Sequence, residues 1–427
     1  MYRHRVFKIL DGEENVTIFV PSLPRVYRVS PAVAEKIPGF IENNKPYFVS
    51  QRDSLPDYTF FGTNLILTNH CNLKCVYCYE DAGPKKKTFM SERIVFAAID
   101  YITSCAQKFS KKLIHVNMFG GEPTQAWDIL ISAVRYLRQK AETIGCRSRA
   151  TITTNGCMSL KKAEWLAKNM DGISISFDGP KEIQDVHRSN SFDRVFEITK
   201  MVYSQIPTKV AFRSTISSYS VEYLPDIVYF FGKNFPGCKQ LHEPLFAMGR
   251  GKDSKYAMPS SEIFFTKFLE ALPIAEKFGC KLKTSVLNLG AKSSDFCGVA
   301  GRNFMITPDG RCTSCNRMTD DQDVIASHFI YGIFDASRNA FVFDNNVYQQ
   351  LKKIGVRNIP ECFDCFAATS CRSDCVANKA VMEPKNFWTA KSYRCEEIRQ
   401  FVKDILRYVL DRESFPVNQN CQNNPSL

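Results

Sequence analysis

The sequence predicts an α/β fold: a partial (β/α)6 TIM-like barrel, with a small β-rich unit before it and a loop-rich, metal-stapled unit after it. Three observations carry that prediction. Short apolar runs alternate with helical stretches six times between residues 63 and 278, which implies a parallel sheet with right-handed crossovers. After residue 290 the helical periodicity fades while Cys, Gly, Asp and Ser rise. The length of 427 residues exceeds the ~250–300 residues that one hydrophobic core usually serves, so a further folding unit is expected.

Residues 1–60 carry the β-branched and aromatic runs Val16-Thr17-Ile18-Phe19-Val20 and Arg25-Val26-Tyr27-Arg28-Val29, broken by Pro21, Pro24 and Pro31. These read as strands, with one helix near 31–43. The barrel strands are Leu65-Ile66-Leu67, Leu113–Phe119, Ala150–Thr154, Gly172–Phe177, Lys209–Ile216 and a run near 239–246. Stretches with apolar residues at helical spacing lie at 91–107, 127–143, 159–169, 192–204, 221–233 and 260–278. In the last of these, Phe264, Phe265, Phe268, Leu269 and Leu272 form one apolar stripe. Amphipathic spacing returns at 395–411 through Ile398, Phe401, Val402, Ile405, Leu406 and Val409, a closing helix, and the Asn/Gln-rich tail from Asn418 reads as disordered. The expected division is 1–60, 61–290 for the barrel, 291–412 for the cysteine-rich unit and 413–427 for the tail.

Apolar residues at 44% and charged ones at 23% match an ordinary globular protein and exclude low complexity and whole-chain disorder. No run reaches the roughly 18 apolar residues of a membrane helix, and Met1-Tyr2-Arg3-His4-Arg5 leads into no signal segment, so a cytoplasmic protein with no membrane partner is expected. Lys and Arg number 56 against 44 Asp and Glu, a net charge of +12 that favours anionic partners without choosing among them. Seventeen cysteines are the anomaly, because a reducing cytosol disfavours structural disulfides and leaves metal or redox chemistry.

Cys71, Cys75 and Cys78 form C-x3-C-x2-C directly after the first barrel strand, where α/β barrels carry their chemistry. Three thiolates on a short loop can hold three irons of a cubane and leave the fourth iron open; a zinc loop would want a fourth ligand, and only His70 is near. With the aromatic Tyr77 before the last cysteine, this loop resembles the signature of the radical S-adenosylmethionine (SAM) superfamily. The resemblance implies that the open iron chelates SAM and that reductive cleavage gives a 5′-deoxyadenosyl radical, with the cysteines catalytic and the protein positioning the reactants.

Further segments follow in the family's order. Gly120-Gly121-Glu122, 42 residues after Cys78, ends the second strand; two glycines let backbone approach a ligand and a carboxylate can accept from an ammonium group, as in the family's element for the SAM amino group. Thr153-Thr154-Asn155-Gly156 and Ser174-Ile175-Ser176-Phe177-Asp178-Gly179-Pro180 end the third and fourth strands. Alone each is a turn former; in series they resemble segments lining the SAM site. By that resemblance Asn155 lies at the site, Ser176 and Asp178 contact the ribose side, and Arg188 takes the SAM carboxylate.

The second set reads Cys297-x12-Gly310-x4-Cys315, Cys362-x2-Cys365-x5-Cys371-x3-Cys375 and Cys395. It resembles the SPASM extension of radical SAM enzymes that modify peptides and proteins. The resemblance implies one auxiliary [4Fe–4S] cluster on Cys362, Cys365, Cys371 and Cys395 and another on Cys297, Cys315 and Cys375, three clusters in all. The fourth ligand of the latter is open between Cys312, Cys280 and a substrate thiolate. A zinc ribbon would use the two C-x2-C pairs and leave Cys297, Cys371, Cys375 and Cys395 unexplained. Thiolate clusters carry about −2 each, so part of the basic excess neutralises the cofactors and nucleic acid becomes an unlikely partner.

The family reading implies a maturase that abstracts hydrogen from a ribosomally made precursor peptide and forms a thioether or carbon–carbon crosslink, fed by a flavodoxin- or ferredoxin-type electron donor. Residues 1–60 resemble elements that bind a leader by strand addition. The alternatives are an anaerobic sulfatase (formylglycine) maturase, whose acid/base carboxylate the sequence does not single out, and a zinc-stapled nucleic-acid-binding protein with salt-sensitive binding.

Overall fold

The computed structural model describes residues 7–11, 16–20, 25–30, 32, 34–35, 55–82, 87–252, 254–289, 294–320 and 323–412. The helix expected near 31–43 falls almost wholly outside the described residues, as does the tail from Asn418. Strands β1 (Phe7–Asp11), β2 (Val16–Val20) and β3 (Arg25–Val29) form an antiparallel sheet in that order. Its second and third strands are the two β-branched runs.

The expected barrel is present. Strands β4 (Gly62–Ile66), β5 (Leu113–Phe119), β6 (Arg147–Thr154), β7 (Gly172–Ser176), β8 (Val210–Ile216) and β9 (Lys239–Pro244) pair in sequence order, all parallel. The helices are α1 (Glu92–Lys108), α2 (Trp127–Thr143), α3 (Leu160–Asn169), α4 (Lys181–His187), α5 (Phe192–Gln205), α6 (Leu224–Asn234) and α7 (Ser261–Lys277). Serines open two of them: Ser91 accepts from the Ile94 N–H and Ser159 from the Lys162 N–H, each occupying a donor that the first turn leaves unpaired.

Strand alternation sorts the two faces. In β5, Ile114, Val116 and Met118 are buried against α1 and α2 residues such as Ile99, Ile102, Leu130 and Leu137. The other face is polar: His115 Nε2 lies 2.8 Å from Thr151 Oγ1, which donates to Asn117 Oδ1 at 2.9 Å. A parallel strand covered by apolar groups on both faces reads as a continuous hydrophobic run. These strands do not, because their second face lines a polar lumen.

The barrel is unclosed, and its free edges are covered differently. The short β10 (Lys281–Lys283) lies parallel on β9. On the other side β11 (Met305–Ile306) lies parallel on β4, and β12 (Arg311–Thr313), β13 (Ile330–Asp335) and β14 (Ala340–Phe343) continue antiparallel, giving one eleven-stranded sheet. The cysteine-rich region therefore grows from the barrel's own edge, whose unpaired amides it satisfies: Thr63 Oγ1 donates to the Phe304 carbonyl at 2.8 Å and the Asn64 N–H at 3.0 Å. Helix α8 (Cys395–Arg412) packs on α7, with Phe401 stacked on Phe265 at 4.3 Å between centroids. Among the described residues no helix is long and apolar enough to cross a membrane.

Candidate functional site

At the C-terminal ends of β4–β9 opens a cleft of about 1180 Å³, counted to its mouth. Cys71, Cys75 and Cys78 line it on the loop that leaves β4. Five side contacts fix that loop. The Val76 N–H donates to His187 O at 3.0 Å, the Lys74 N–H to Ser189 Oγ at 2.9 Å, Asn72 Nδ2 to Cys157 O at 2.8 Å, and Arg250 sends Nε to Cys75 O and its backbone N–H to Cys78 O, both at 3.0 Å.

The two glycines act here. Gly121 and Glu122 donate their N–H groups to Thr68 O and His70 O, both at 2.8 Å. A Cβ on Gly120 would stand 2.4 Å from Thr68 O, and one on Gly121 2.4 Å from His70 O. Glycine is required so that the end of β5 can touch the chain entering the cysteine loop. Gly249 makes the same kind of approach to Cys78 O from the other side, at φ +52°.

Of the residues singled out for SAM, Tyr77, Gly120, Gly121, Glu122, Asn155, Ser176 and Arg188 all line the cleft with the three cysteines. Ser176 has no hydrogen-bond partner among the described residues and keeps its hydroxyl available. One expectation needs correction. Asp178 does not line the cleft: fully buried, it pairs with Arg188 at 3.0 Å and His187 at 3.1 Å, accepts the Tyr77 hydroxyl and takes the Thr215 N–H at 2.9 Å. It positions Tyr77 and Arg188 from behind. Burial works to raise its carboxyl, but Arg188 and His187 hold it well below the usual range. The Glu122 carboxylate, at the cleft wall, accepts from the Thr124 N–H and hydroxyl, the Thr154 hydroxyl and the Asn155 N–H at 2.7–3.0 Å. It ties β5 to β6, with three of these donors on Oε1 and one on Oε2, so Oε2 keeps acceptor capacity.

The chemistry of the thiols fits an iron–sulfur cluster. Burial pushes Cys71 up to about 11 and Cys75 up to about 12, and each feels the charge of its cysteine neighbours. Two such buried thiols ionise together only around added positive charge, which a metal core supplies. Donors for a cluster sulfur are in place: the Leu73 N–H at 3.4 Å and Asn155 Nδ2 at 3.6 Å from Cys71 Sγ.

The C-terminal thiols separate into two groups. Cys297 feels the charge of Cys315 and Cys375, while Cys371 feels that of Cys362, Cys365 and Cys395. The separation happens at Cys371-x3-Cys375, where Arg372, Ser373 and Asp374 hold φ of +55°, +66° and +62°. Three consecutive left-handed residues are costly and are held by their surroundings: Arg394 grips Asp374 with two bonds of 2.8 Å, Ser392 adds a third, and Arg372 reaches Phe296 O and Ser285 O. Cys312 is not part of either group. On β12 its side chain faces the core beside Tyr331 and Tyr101, and burial alone raises its thiol. Cys280 is 3.5 Å from Cys238, also away from them. Among the described residues no three His, Cys, Asp or Glu side chains converge as on a single metal ion; a cluster takes one thiolate per iron and asks for a wider set.

Sequence reasoning missed the opposite wall. Arg213 and Thr215 from β8, Glu243 from β9, Arg250, Tyr79, Asn316 and Arg317 all line the cleft. Arg317 bridges outward: Nη1 donates to Asn378 at 2.7 Å, stands 4.0 Å from Cys375 Sγ, and the guanidinium lies 5.5 Å from the Tyr79 ring centre. Arg213 has no charged partner among the described residues. The available signal was an arginine inside the otherwise uncharged run Val210–Ile216, and the Gly249-Arg250-Gly251 triplet.

Comparison with known proteins defines the class. Residues 65–227 match the model of the Radical SAM superfamily, so this part of the chain is similar to a radical SAM domain. The chain's fold is that of the SPASM-type maturases. The structure of native anSMEcpe with bound AdoMet and Cp18Cys peptide superposes with a TM-score of 0.63 at 17% identity, covering 82% of this chain and 98% of that one. Streptococcus suis SuiB bound to precursor peptide SuiA gives 0.56 at 14% identity, over 86% and 80%. In sequence, the cysteine-type anaerobic sulfatase-maturating enzyme of Clostridium novyi is 21% identical over 353 residues, 78% of this chain and 92% of the relative.

Proposed function

We propose that this chain is a peptide maturase that uses SAM to abstract hydrogen from a ribosomally made precursor peptide and closes a thioether or carbon–carbon crosslink. One observation carries the reading: a single cleft has the Cys71–Cys78 loop on one wall and Arg317, in contact with the Cys297, Cys315 and Cys375 group, on the other. When bound, a reduced [4Fe–4S] cluster on the loop supplies the electron that splits SAM to the 5′-deoxyadenosyl radical. The chain's residues position the reactants. Cys71, Cys75 and Cys78 hold the cluster, Ser176 and Arg188 border the SAM site, Asp178 and Glu122 keep that border rigid, and the buried strand ends exclude water. Cys297, Cys315 and Cys375 would hold an auxiliary cluster, which would supply an acceptor for the electron left on the substrate carbon.

The partners in this reading are the precursor peptide and a flavodoxin- or ferredoxin-type donor. The sheet β1-β2-β3 offers two outer strands to which a leader could add. The test is incubation with SAM, reductant and short peptides encoded beside the gene: a product lighter by two hydrogens supports a crosslink. A second reading, oxidation of Cys or Ser to formylglycine, is favoured by Glu243, a carboxylate on the cleft wall held by the Ser285 N–H at 2.8 Å and its hydroxyl at 2.5 Å. That reading predicts an aldehyde trapped by a carbonyl reagent, with loss of the sulfur from a cysteine or of two hydrogens from a serine, whereas a crosslinked product carries no aldehyde.

A further inference from the structure

Two buried cysteines belong to neither thiol group and take no part in the proposed chemistry. Cys238 precedes β9 and Cys280 precedes β10, at the end of those strands away from the cleft, which Glu243 and Pro244 line at the far end of β9. Strands β9 and β10 are parallel with Lys239 opposite Lys281. Cys238 and Cys280 therefore oppose each other one step earlier, where the Lys281 N–H donates to Cys238 O at 2.8 Å. Opposed side chains in a parallel pair leave the sheet on the same face, and the two Sγ atoms stand 3.5 Å apart. Neighbouring strands run ~4.8 Å apart, within the ~4.4–6.8 Å that a disulfide spans between Cα atoms. Closing the sulfurs to bonding distance needs side-chain rotation without a change of sheet register.

We infer that Cys238 and Cys280 are a modification site: a reversible disulfide, formed by a peroxide or a small-molecule disulfide, that staples edge strand β10 to β9. With peroxide, the Cys280 sulfur attacks one oxygen, the O–O bond breaks, and a sulfenic acid forms with release of one water. The Cys238 sulfur then attacks that sulfur, the S–O bond breaks, the S–S bond forms and a second water leaves. Two thiols give up two electrons and two protons, the peroxide takes them, and a dithiol reverses the change.

The pair is ordered for this sequence. Cys280 is the more accessible, at 8% exposure against 1% for Cys238. The 3.5 Å contact lets one thiol donate to the other and so favours a thiolate within the pair, and Gln240 Nε2 donates to Cys238 Sγ at 3.3 Å. The oxidant enters by fraying of β10, a three-residue edge strand. The staple closes a loop containing the whole of α7 and restricts the unfolded chain.

The test uses full-length protein purified and kept anaerobically, treated with oxidised glutathione, denatured in alkylating agent and digested. Expected is a linked peptide pair joining Cys238 to Cys280, lighter by two hydrogens than its reduced halves, formed while the iron–sulfur absorbance is intact. The melting midpoint should rise by several degrees in the wild type and stay unchanged in Cys280→Ser, or in Cys238→Ala should the serine variant fold poorly. Recovery of both cysteines alkylated, glutathione retained on Cys280 with no link, or an equal rise in the variants would overturn the inference.

Discussion

The two cysteine regions solve one problem, holding several thiols around a common centre, by opposite means. Cys71, Cys75 and Cys78 sit on eight consecutive residues, and the loop is held by backbone: glycines at 120, 121 and 249 let two chain segments touch its entry and its end, and carbonyls of its own residues take donors from Arg250. The C-terminal thiols are scattered over residues 297–395 and are held by side chains, above all the buried Asp374–Arg394 pair that sustains a left-handed turn. Short-range ligands need close approach of backbone; long-range ligands need a charged clamp. Substitutions should therefore fail in different ways in the two places.

The largest contrast is functional. Cys75→Ala is expected to abolish formation of 5′-deoxyadenosine, measured by chromatography after reduction, because Cys71 and Cys78 alone then remain on the loop. Cys365→Ala should keep some cleavage and lose the modified peptide. Equal loss in both variants would mean that the second region serves folding alone.

Next comes the clamp. Asp374→Ala strands a buried guanidinium and should cost about 3–5 kcal/mol in denaturant unfolding, an effect that a backbone-held loop cannot show. The sign with pH follows. Burial opposes ionisation of Asp374, yet Arg394 lowers its carboxyl below the ordinary value of 3.8, so its stabilising contribution is full above the unfolded value and is lost as pH falls through the folded one. The stability gap between wild type and Asp374→Asn should accordingly shrink below pH ~4. A gap that is constant down to the acid transition would contradict the clamp.

Gly121→Ala tests the other device. Its Cβ would meet the His70 carbonyl oxygen at 2.4 Å, and relieving that clash is expected to cost roughly 1–3 kcal/mol. The loss should appear first as lower iron retention by the Cys71–Cys78 loop, with the C-terminal iron unaffected. Uniform iron loss would break the distinction between the regions.

The difference in construction also explains what could be read in advance. The barrel was legible because strand and helix periods alternate six times, and α2 and β5 fall on the very residues that periodicity marks, Trp127–Thr143 and Leu113–Phe119. The cysteine loop was legible because its spacing is local. Asp178 was misread for a physical reason: sequence shows a carboxylate near a site but not the partners that bury it, and here Arg188, His187, Tyr77 and the Thr215 N–H take up its oxygens. Arg213 and Arg317 were overlooked because they reach the cleft from β8 and from the turn after β12, far in sequence from the cysteine loop. The turn at 372–374 carries no glycine to announce it; its conformation is imposed by Arg394, twenty residues on from Asp374.

The smallest effect addresses Cys312, which sequence spacing placed among the ligands. Cys312 is three residues from Cys315, but β12 is extended there and turns its side chain into the core against Tyr331 and Tyr101, while Cys315 lies beyond the strand end beside Cys297 and Cys375. Cys312→Ala should therefore leave total iron and the iron–sulfur spectrum unchanged and cost about 1–2 kcal/mol from the small cavity left in a packed core. Iron analysis of the reconstituted variant beside Cys315→Ala checks it. Equal iron loss in the two would return Cys312 to the ligand set and leave the group on Cys297, Cys315 and Cys375 with four protein thiolates instead of three.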